Sequence, residues 1–226
     1  TCPFPLVDSA LTHLVRYPWN IPRGGAMSLH EILVQQVHDC TLCTLSQKRN
    51  RAVPGEGNLD ADIVFIGEGP GFHEDQQGRP FVGPAGRLLE ELLASISLTR
   101  EDVYITNMVK CRPPNNRDPL PGEIQACKPY LDRQIEIIGP KVIVTLGRFS
   151  LGRFFPDVPI GKARGQARSW NGLLIYPVYH PAAALRNGSL RSTLENDFSR
   201  LPSLLETAPI DAGGSQEDQT QQLSFF

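Results

Sequence analysis

Four side chains of different chemistry follow stretches of sequence that are typical of buried strands. Glu68 follows the apolar run 63–66 after one glycine, and Phe81 lies in the loop beyond it. Asn107 ends a second apolar run, and His180 follows the last one. Because the carboxyl ends of parallel strands lie along one edge of a sheet, these side chains can converge on one cleft.

This set of side chains suits a flat ligand with hydrogen-bonding edges. A ring can stack on such a ligand, and an amide can both donate to and accept from the edge of a base. An imidazole can donate to an oxygen that becomes negative, and a carboxylate can orient water. Each residue alone is more simply explained as a turn cap, a core ring or a loop residue. Their shared position after strands favours a functional site.

Four of the five cysteines lie within the part of the chain that is expected to fold. Cys40 and Cys43 form a CxxC pair, and Cys111 and Cys127 follow much later. With these spacings a metal site is favoured over disulfides or over buried reduced thiols. A tetra-thiolate site can hold zinc or an iron–sulfur cluster, and the spacing does not separate the two.

The elements that would position these residues alternate between strands and helices. Ser28 and Glu31 form a capping box for a helix ending near Asp39. Strands are predicted at 63–66, 103–106, 142–146 and 173–178, and further helices at 85–97, 121–138, 149–155 and 190–205. This alternation predicts an α/β fold with a mostly parallel, doubly covered sheet.

Length and composition set the limits of this organisation. A chain of 226 residues can bury one substantial core, and no apolar run approaches the length of a membrane span. We expect an irregular N-terminal arm at 1–27, one domain at 28–205 and a disordered acidic tail at 206–226. The net charge is -2, but the tail holds four acidic residues and no basic one. The remainder carries a slight positive charge, which permits polyanion binding without arguing for it.

Several segments together resemble the family 4 uracil-DNA glycosylases. These are GEGPG, GRPFVGPAG, YITNMVKCRPP and HPAAALRN, with four cysteines in the same order, over about residues 28–204. The resemblance implies a three-layer α/β/α fold with a central, mostly parallel four-stranded sheet. It also implies a 4Fe–4S cluster on Cys40, Cys43, Cys111 and Cys127.

The resemblance implies a role for each residue of the predicted cleft. Phe81 would stack on a uracil flipped out of DNA, Asn107 would read its polar edge, and Gly69 would lie in the substrate-binding loop. His180 would stabilise negative charge developing at uracil O2, and Glu68 would position the attacking water. We further hypothesise that Glu74 helps to form a wall that excludes the methyl group of thymine.

DNA contacts are expected on both sides of this cleft. Arg112, Arg117 and Arg186 are predicted to meet phosphates. In the family a bulky residue four positions after the histidine fills the gap left by the flipped base, but here that position is Ala184. Leu185 is therefore the candidate wedge. The motifs favour an enzyme that turns over rather than one that stays covalently attached to DNA.

The chain ends in QLSFF, beyond the acidic, glutamine-rich stretch. This segment resembles the short motif by which bacterial repair proteins bind the sliding clamp, with Gln222, Leu223, Phe225 and Phe226 as anchors. Such a tethered peptide suits a preformed pocket. The simpler interpretation is a frayed apolar terminus. The motif favours a bacterial source.

The function predicted from the sequence is hydrolytic removal of uracil from single- or double-stranded DNA, which initiates base-excision repair. A monomer located in the cytoplasm and associated with the nucleoid is expected. One alternative is a non-catalytic iron–sulfur protein that binds nucleic acid or carries electrons. Another is a nucleotide-binding protein that uses the glycine-rich turn. That alternative is disfavoured because Glu68 would repel phosphate and no Walker lysine follows.

Overall fold

The computed structural model describes residues 27–207, and its centre is a six-stranded sheet. The predictions for the N-terminal arm and for the C-terminal motif lie outside the described residues. The strands are β1 (Glu56–Gly57), β2 (Ile63–Gly67), β3 (Tyr104–Asn107), β4 (Val142–Leu146), β5 (Arg168–Trp170) and β6 (Leu173–Val178). Their order in the sheet is β1-β3-β2-β4-β6-β5.

The sheet is mixed, and the prediction of four strands was wrong in this detail. The four central strands β3, β2, β4 and β6 pair in parallel, as expected. One short antiparallel strand lies at each edge of the sheet: β1 pairs with β3, and β5 pairs with β6. Both edge strands are partly exposed and carry no apolar run, so only their pairing with a neighbour defines them.

Nine α-helices of the described part surround this sheet, besides two short 3-10 helices at Thr44–Gln47 and Pro114–Asn116. They are α1 (Leu29–Asp39), α2 (Phe72–Gln77), α3 (Pro84–Ala94), α4 (Pro121–Ile138), α5 (Arg148–Gly152), α6 (Ile160–Ala163), α7 (Pro181–Arg186), α8 (Ser189–Phe198) and α9 (Leu201–Thr207). The capping box of Ser28 and Glu31 is present at the start of α1. The single helix predicted at 190–205 is two helices, α8 and α9.

Two hydrophobic cores lie on opposite faces of the sheet. Because side chains alternate along a strand, Phe65 of β2 points into a core with α3 and α8, while Val64 points into a core with α4. The fold is therefore an α/β sandwich of three layers. Within residues 27–207 no helix is long and apolar enough to cross a membrane.

Candidate active site

A cleft of about 520 Å³ opens at the carboxyl ends of the parallel strands. All four residues predicted from the strand ends line it, namely Glu68, Phe81, Asn107 and His180. Gly69 and Glu74 line it as well. The sheet thus brings together side chains that are separated by more than one hundred positions in the sequence.

Glu68 lies in the turn after β2, partly buried against the cleft wall. Burial raises the pKa of its carboxyl group to about 7, and the negative charge of Asp118 contributes to the rise. The positive charges of Arg148 and Arg186 oppose it. A carboxyl group with a pKa near neutrality can take up a proton from water during a reaction.

Phe81 is almost fully buried in the cleft and has a left-handed backbone, with φ of 52°. Two features hold this conformation. Arg100 donates hydrogen bonds to the carbonyl oxygens of Pro80 and Phe81, at 2.6 and 2.9 Å. Helix α3 approaches so closely that a Cβ on Gly86 would lie 1.8 Å from the carbonyl oxygen of Phe81. The ring position therefore depends on contacts made behind it.

Asn107 ends β3 with its side chain buried beside the ring of Phe81. Its Oδ1 is buried and has no hydrogen-bond partner among the described residues. The same Oδ1 and the Phe81 ring both crowd Gly67, where a Cβ would lie within 2.8 Å of either. Since a buried polar atom without a partner costs free energy, this oxygen is suited to accept a hydrogen bond from a ligand.

His180 precedes α7 and faces the ring of Phe81, with ring centroids 5.6 Å apart. Its Nδ1 accepts a hydrogen bond from the backbone N–H of Ala182 at 3.1 Å, so the proton of the neutral imidazole lies on Nε2. Burial lowers the pKa of His180 to about 4, helped by the charge of Arg186. At neutral pH the side chain is therefore an uncharged donor.

Glu74 connects the two loops that border the cleft. Its Oε1 accepts hydrogen bonds from the N–H groups of Val82 and Gly83, at 2.9 and 2.8 Å. Its Oε2 accepts from the N–H of Gly71 at 3.1 Å. The carboxylate is consequently held rigidly between the turn after β2 and the loop that carries Phe81.

The residues predicted to contact DNA differ in their surroundings. Arg186 lines the cleft, and Leu185 beside it is 51% exposed, whereas Ala184 is buried in the core. Arg117 also lines the cleft, but both of its terminal nitrogens bind the carboxylate of Glu123. Arg117 therefore has a structural partner at the start of α4.

Arg148 and Asp118 also line the cleft, and neither was predicted from the sequence. They form an exposed ion pair with each other. Arg148 could have been found, because it follows β4, the one central strand to whose end no site residue was assigned. Asp118 follows no strand, and the sequence carried no signal for it.

The four cysteines of the described chain line one small pocket away from the cleft. The backbone N–H of Lys110 donates to Sγ of Cys127 at 3.2 Å, and Nη1 of Arg49 donates to Sγ of Cys111 at 3.1 Å. Across residues 27–207 no three acidic, histidine or cysteine side chains are arranged to hold a single metal ion. Four thiols around a pocket, with N–H donors on their sulfurs, fit a group bound by thiolates.

Lys110 links this pocket to the cleft. Its side chain is fully buried, and burial lowers its pKa to about 7. Its Nζ donates to the carbonyl oxygen of Asn107 at 2.8 Å and to Oε1 of Gln134, on α4, at 2.6 Å. The peptide of Asn107 is thus tied to the helix that carries Cys127.

Comparison with known proteins agrees with this geometry. Residues 54–200 match the family model of the uracil DNA glycosylase superfamily. The type-4 uracil-DNA glycosylase of Saccharolobus solfataricus is 51% identical over 190 residues, which cover 80% of this chain and 88% of that protein. The type-4 enzyme of Thermotoga maritima is 51% identical over 184 residues, covering 79% and 95%. A type-5 enzyme from Pyrobaculum aerophilum is 31% identical over 181 residues, covering 72% and 77%.

Proposed function

This chain belongs to the uracil DNA glycosylase superfamily and is a uracil-DNA glycosylase, and we propose how its cleft releases the base. The enzyme prediction made from the sequence is confirmed, which removes the non-catalytic alternative. The reaction hydrolyses the bond between C1′ of deoxyribose and N1 of uracil. Inside a duplex that bond is inaccessible, so the nucleotide has to rotate out of the stack into the cleft.

The observation that carries the proposal is the unpartnered Oδ1 of Asn107 beside the ring of Phe81. In the bound state the uracil ring stacks on Phe81. Oδ1 accepts a hydrogen bond from N3–H of uracil, and the amide nitrogen of Asn107 can donate to O4. Gly69 lies in the same cleft wall, where a Cβ would press to 2.7 Å on the side chain of Val109. A larger residue there would displace the loop.

Two other residues, His180 and Glu68, act on the charges that develop during bond cleavage. As the C1′–N1 bond breaks, its electron pair moves onto uracil, and Nε2–H of His180 donates to O2. The deoxyribose becomes positively charged, and water held by Glu68 adds its oxygen to C1′. The water proton passes to the Glu68 carboxylate, so the step is balanced without a further reactant.

An oligonucleotide with a single uracil tests this assignment. We expect the wild-type protein to release free uracil and to leave an alkali-labile site, resolved on a gel. Replacement of Asn107 by alanine should reduce cleavage strongly, because the base loses its polar contact, while Asn196→Ala on the exposed face of α8 should behave as wild type. Equal cleavage by Asn107→Ala and wild type would contradict the assignment.

Discrimination against thymine is assigned to Glu74. One methyl group gives only modest selectivity unless a rigid wall excludes it, and the three backbone hydrogen bonds of Glu74 would make it rigid. We expect Glu74→Ala to acquire measurable release of thymine from thymine-containing oligonucleotides. Glu74→Gln keeps the size of the side chain and can keep the two hydrogen bonds that Oε1 accepts, so it should refuse thymine more strongly than Glu74→Ala. A Glu74→Ala protein that cleaves uracil but not thymine would contradict this role.

We propose that Cys40, Cys43, Cys111 and Cys127 hold a 4Fe–4S cluster. The cluster would be a rigid structural link, since hydrolysis includes no transfer of electrons. Through Cys111 it would fix the segment with Arg112, and through Lys110 the peptide of Asn107. The structure therefore gives a physical path from the cysteines to the cleft.

Removal of one cysteine tests the cluster. We expect Cys111→Ser and Cys127→Ala to lose most of the iron, sulfide and visible absorbance, and to melt at a lower temperature, because structural metal binding contributes to folding. Cys2→Ser is the matched control and should keep about four iron atoms per chain. Full iron content in both Cys111→Ser and Cys127→Ala would exclude these cysteines as ligands.

For DNA binding we propose Arg112 and Arg186 as phosphate contacts and Leu185 as the wedge. The half-exposed Leu185, next to the cleft-lining Arg186, supports this assignment. Arg117 is a weaker candidate because Glu123 already occupies its guanidinium group. Leu185→Ala should impair cleavage of duplex more than of single-stranded substrate, and equal effects on both would argue against a wedge.

The C-terminal residues Gln222, Leu223, Phe225 and Phe226 are proposed to bind a bacterial sliding clamp. The support is their sequence alone. Deletion of residues 222–226 should abolish clamp binding in surface plasmon resonance and leave cleavage of short oligonucleotides unchanged. Loss of both, or of neither, would contradict the proposal. A monomer associated with the nucleoid is the expected state, which light scattering and fluorescence microscopy can check.

A further inference from the structure

An aromatic side chain and a cation are paired next to residues that line the cleft. Phe72, the first residue of α2, is 52% exposed, and the guanidinium carbon of Arg112 lies 5.2 Å from the centre of its ring. Nε of Arg112 donates to Oδ1 of Asn116 at 2.7 Å. Gly71, Pro113 and Asn116 line the cleft, so Phe72 and Arg112 are each bonded to a cleft-lining residue, although neither lines the cleft itself.

Phe72 is not packed in a hydrophobic core, and Arg112 is not held by a carboxylate of the described residues. Phe72 is the one aromatic residue among the exposed large hydrophobic side chains of the described chain. Arg112 forms no ion pair with an acidic residue of residues 27–207. An exposed ring with such a cation over it is the combination that single-stranded nucleic acids bind, because the ring stacks on a base and the cation meets a phosphate.

We propose that Phe72 and Arg112 form a second base subsite, which takes a nucleobase next to the flipped uracil on the same strand. The proposal rests on uracil occupying the cleft. When it does, the nucleotides joined to it leave the cleft, and Phe72 follows the cleft-lining Gly71. Phe72 stacks on the neighbouring base, and Arg112 contacts the phosphate between the two nucleotides.

This subsite has a consequence for substrate preference. A base can stack on Phe72 only after it leaves its own neighbours in the helix. Single-stranded DNA presents that base without loss of a base pair, whereas duplex DNA has to open a second pair. The subsite therefore contributes more to single-stranded than to duplex substrates.

Removal of the neighbouring base from the DNA tests the subsite directly. The substrates are single-stranded oligonucleotides with one uracil and either natural neighbours, an abasic spacer on its 5′ side or one on its 3′ side. For the wild type we expect one of the two spacers to raise KM about tenfold with little change in kcat. Phe72→Ala should raise KM about tenfold for the natural substrate. In this variant the spacer that raised KM for the wild type should cause no further rise. Phe72→Trp should restore the low KM.

Control variants distinguish stacking on Phe72 from a general loss of DNA affinity. Leu29→Ala removes another exposed apolar side chain, on α1, and should leave KM unchanged. Arg112→Gln should lower the slope of log KM against log salt by about 0.7, the value for one phosphate contact of a single strand. Equal spacer penalties in wild type and Phe72→Ala would overturn the proposal. The proposal would also be overturned if neither spacer raised KM in single-stranded DNA and KM rose only for a duplex that lacks the base opposite uracil. If the wild type fails to cleave any uracil substrate, the proposed function itself fails.

A second observation concerns Arg100, which lies behind Phe81 rather than in the cleft. Besides its two hydrogen bonds to the carbonyl oxygens of Pro80 and Phe81, its Nη2 donates to Oε1 of Glu56 at 2.6 Å. Arg79 binds the same Glu56 at 2.7 Å, but no hydrogen bond joins it to these carbonyl groups. We infer that Arg100 is a positioning residue, which keeps the strained Phe81 backbone in the conformation that presents the ring to uracil.

A double-mutant cycle distinguishes this role from general stability. Arg100→Ala is expected to lower kcat/KM about tenfold or more and to weaken inhibition by free uracil, whereas Arg79→Ala should change neither. In a Phe81→Leu background, Arg100→Ala should have little further effect, because Arg100 acts through Phe81. Arg100→Lys, with fewer donors, should recover only part of the activity. If Arg100→Ala lowers kcat/KM by the same factor in both backgrounds, the positioning role is wrong.

Discussion

Replacing His180 with alanine is expected to lower the single-turnover rate of uracil release by about 10²–10³-fold, the usual cost of one oxyanion donor. The structure explains how an uncharged side chain can do this. The backbone N–H of Ala182 occupies Nδ1, which leaves the proton on Nε2. Burial holds the pKa at about 4, so no positive charge has to be kept in the cleft before uracil becomes negative.

The pH dependence separates this role from that of a general acid. Because His180 is neutral throughout the range from pH 6 to pH 9, the ratio of wild-type to His180→Ala rates should be constant across it. His38→Ala, on the exposed end of α1, should cleave as wild type. A ratio that falls by tenfold for each unit of pH above 6 would show that the charged imidazolium is the active form, contrary to the geometry.

The central strands could be predicted because their residues are mostly apolar and buried. Residues 63–67 and 142–146 are buried on both sides, so their sequences are the continuous apolar runs that are typical of parallel strands. Strand β5 at Arg168–Trp170 has no such pattern, because one neighbour and solvent surround it. Helix α2 was not predicted either, because it is short and carries no apolar pattern. It begins after Pro70 and Gly71, and the carboxylate of Glu74 rather than helix propensity holds its first turn.

The same contrast applies to the site. Glu68, Asn107 and His180 could be predicted because strand ends converge in a parallel sheet, and Arg148 would have followed from the same rule. The contacts that position them could not. Arg100 reaches the carbonyl of Phe81 across 19 positions and Glu56 across 44, through an irregular loop. No local pattern encodes such a contact, since it depends on how the loops pack.

Glu68 should set the acidic limit of activity, and this is the second large effect we expect. The burial that raises its pKa to about 7, with Asp118 nearby, favours the protonated form in the free enzyme. Only the carboxylate can take the proton of the attacking water, so kcat/KM should fall about tenfold per pH unit below 7 and level off above it. Glu68→Gln should lower the plateau by about 10²–10⁴-fold and remove this pH dependence.

Stability should change in the opposite direction. Because the pKa of Glu68 is higher in the folded than in the unfolded chain, folding binds a proton between about pH 4.5 and 7, and the contribution of this group is lost as pH rises through 7. Glu68→Gln should therefore raise the melting temperature at pH 8 relative to wild type more than at pH 5.

Asp118→Asn should move the acidic limit of kcat/KM to lower pH, since it removes a negative charge near Glu68. A limit that stays at the same pH in Asp118→Asn, or that persists in Glu68→Gln, would assign it to another group.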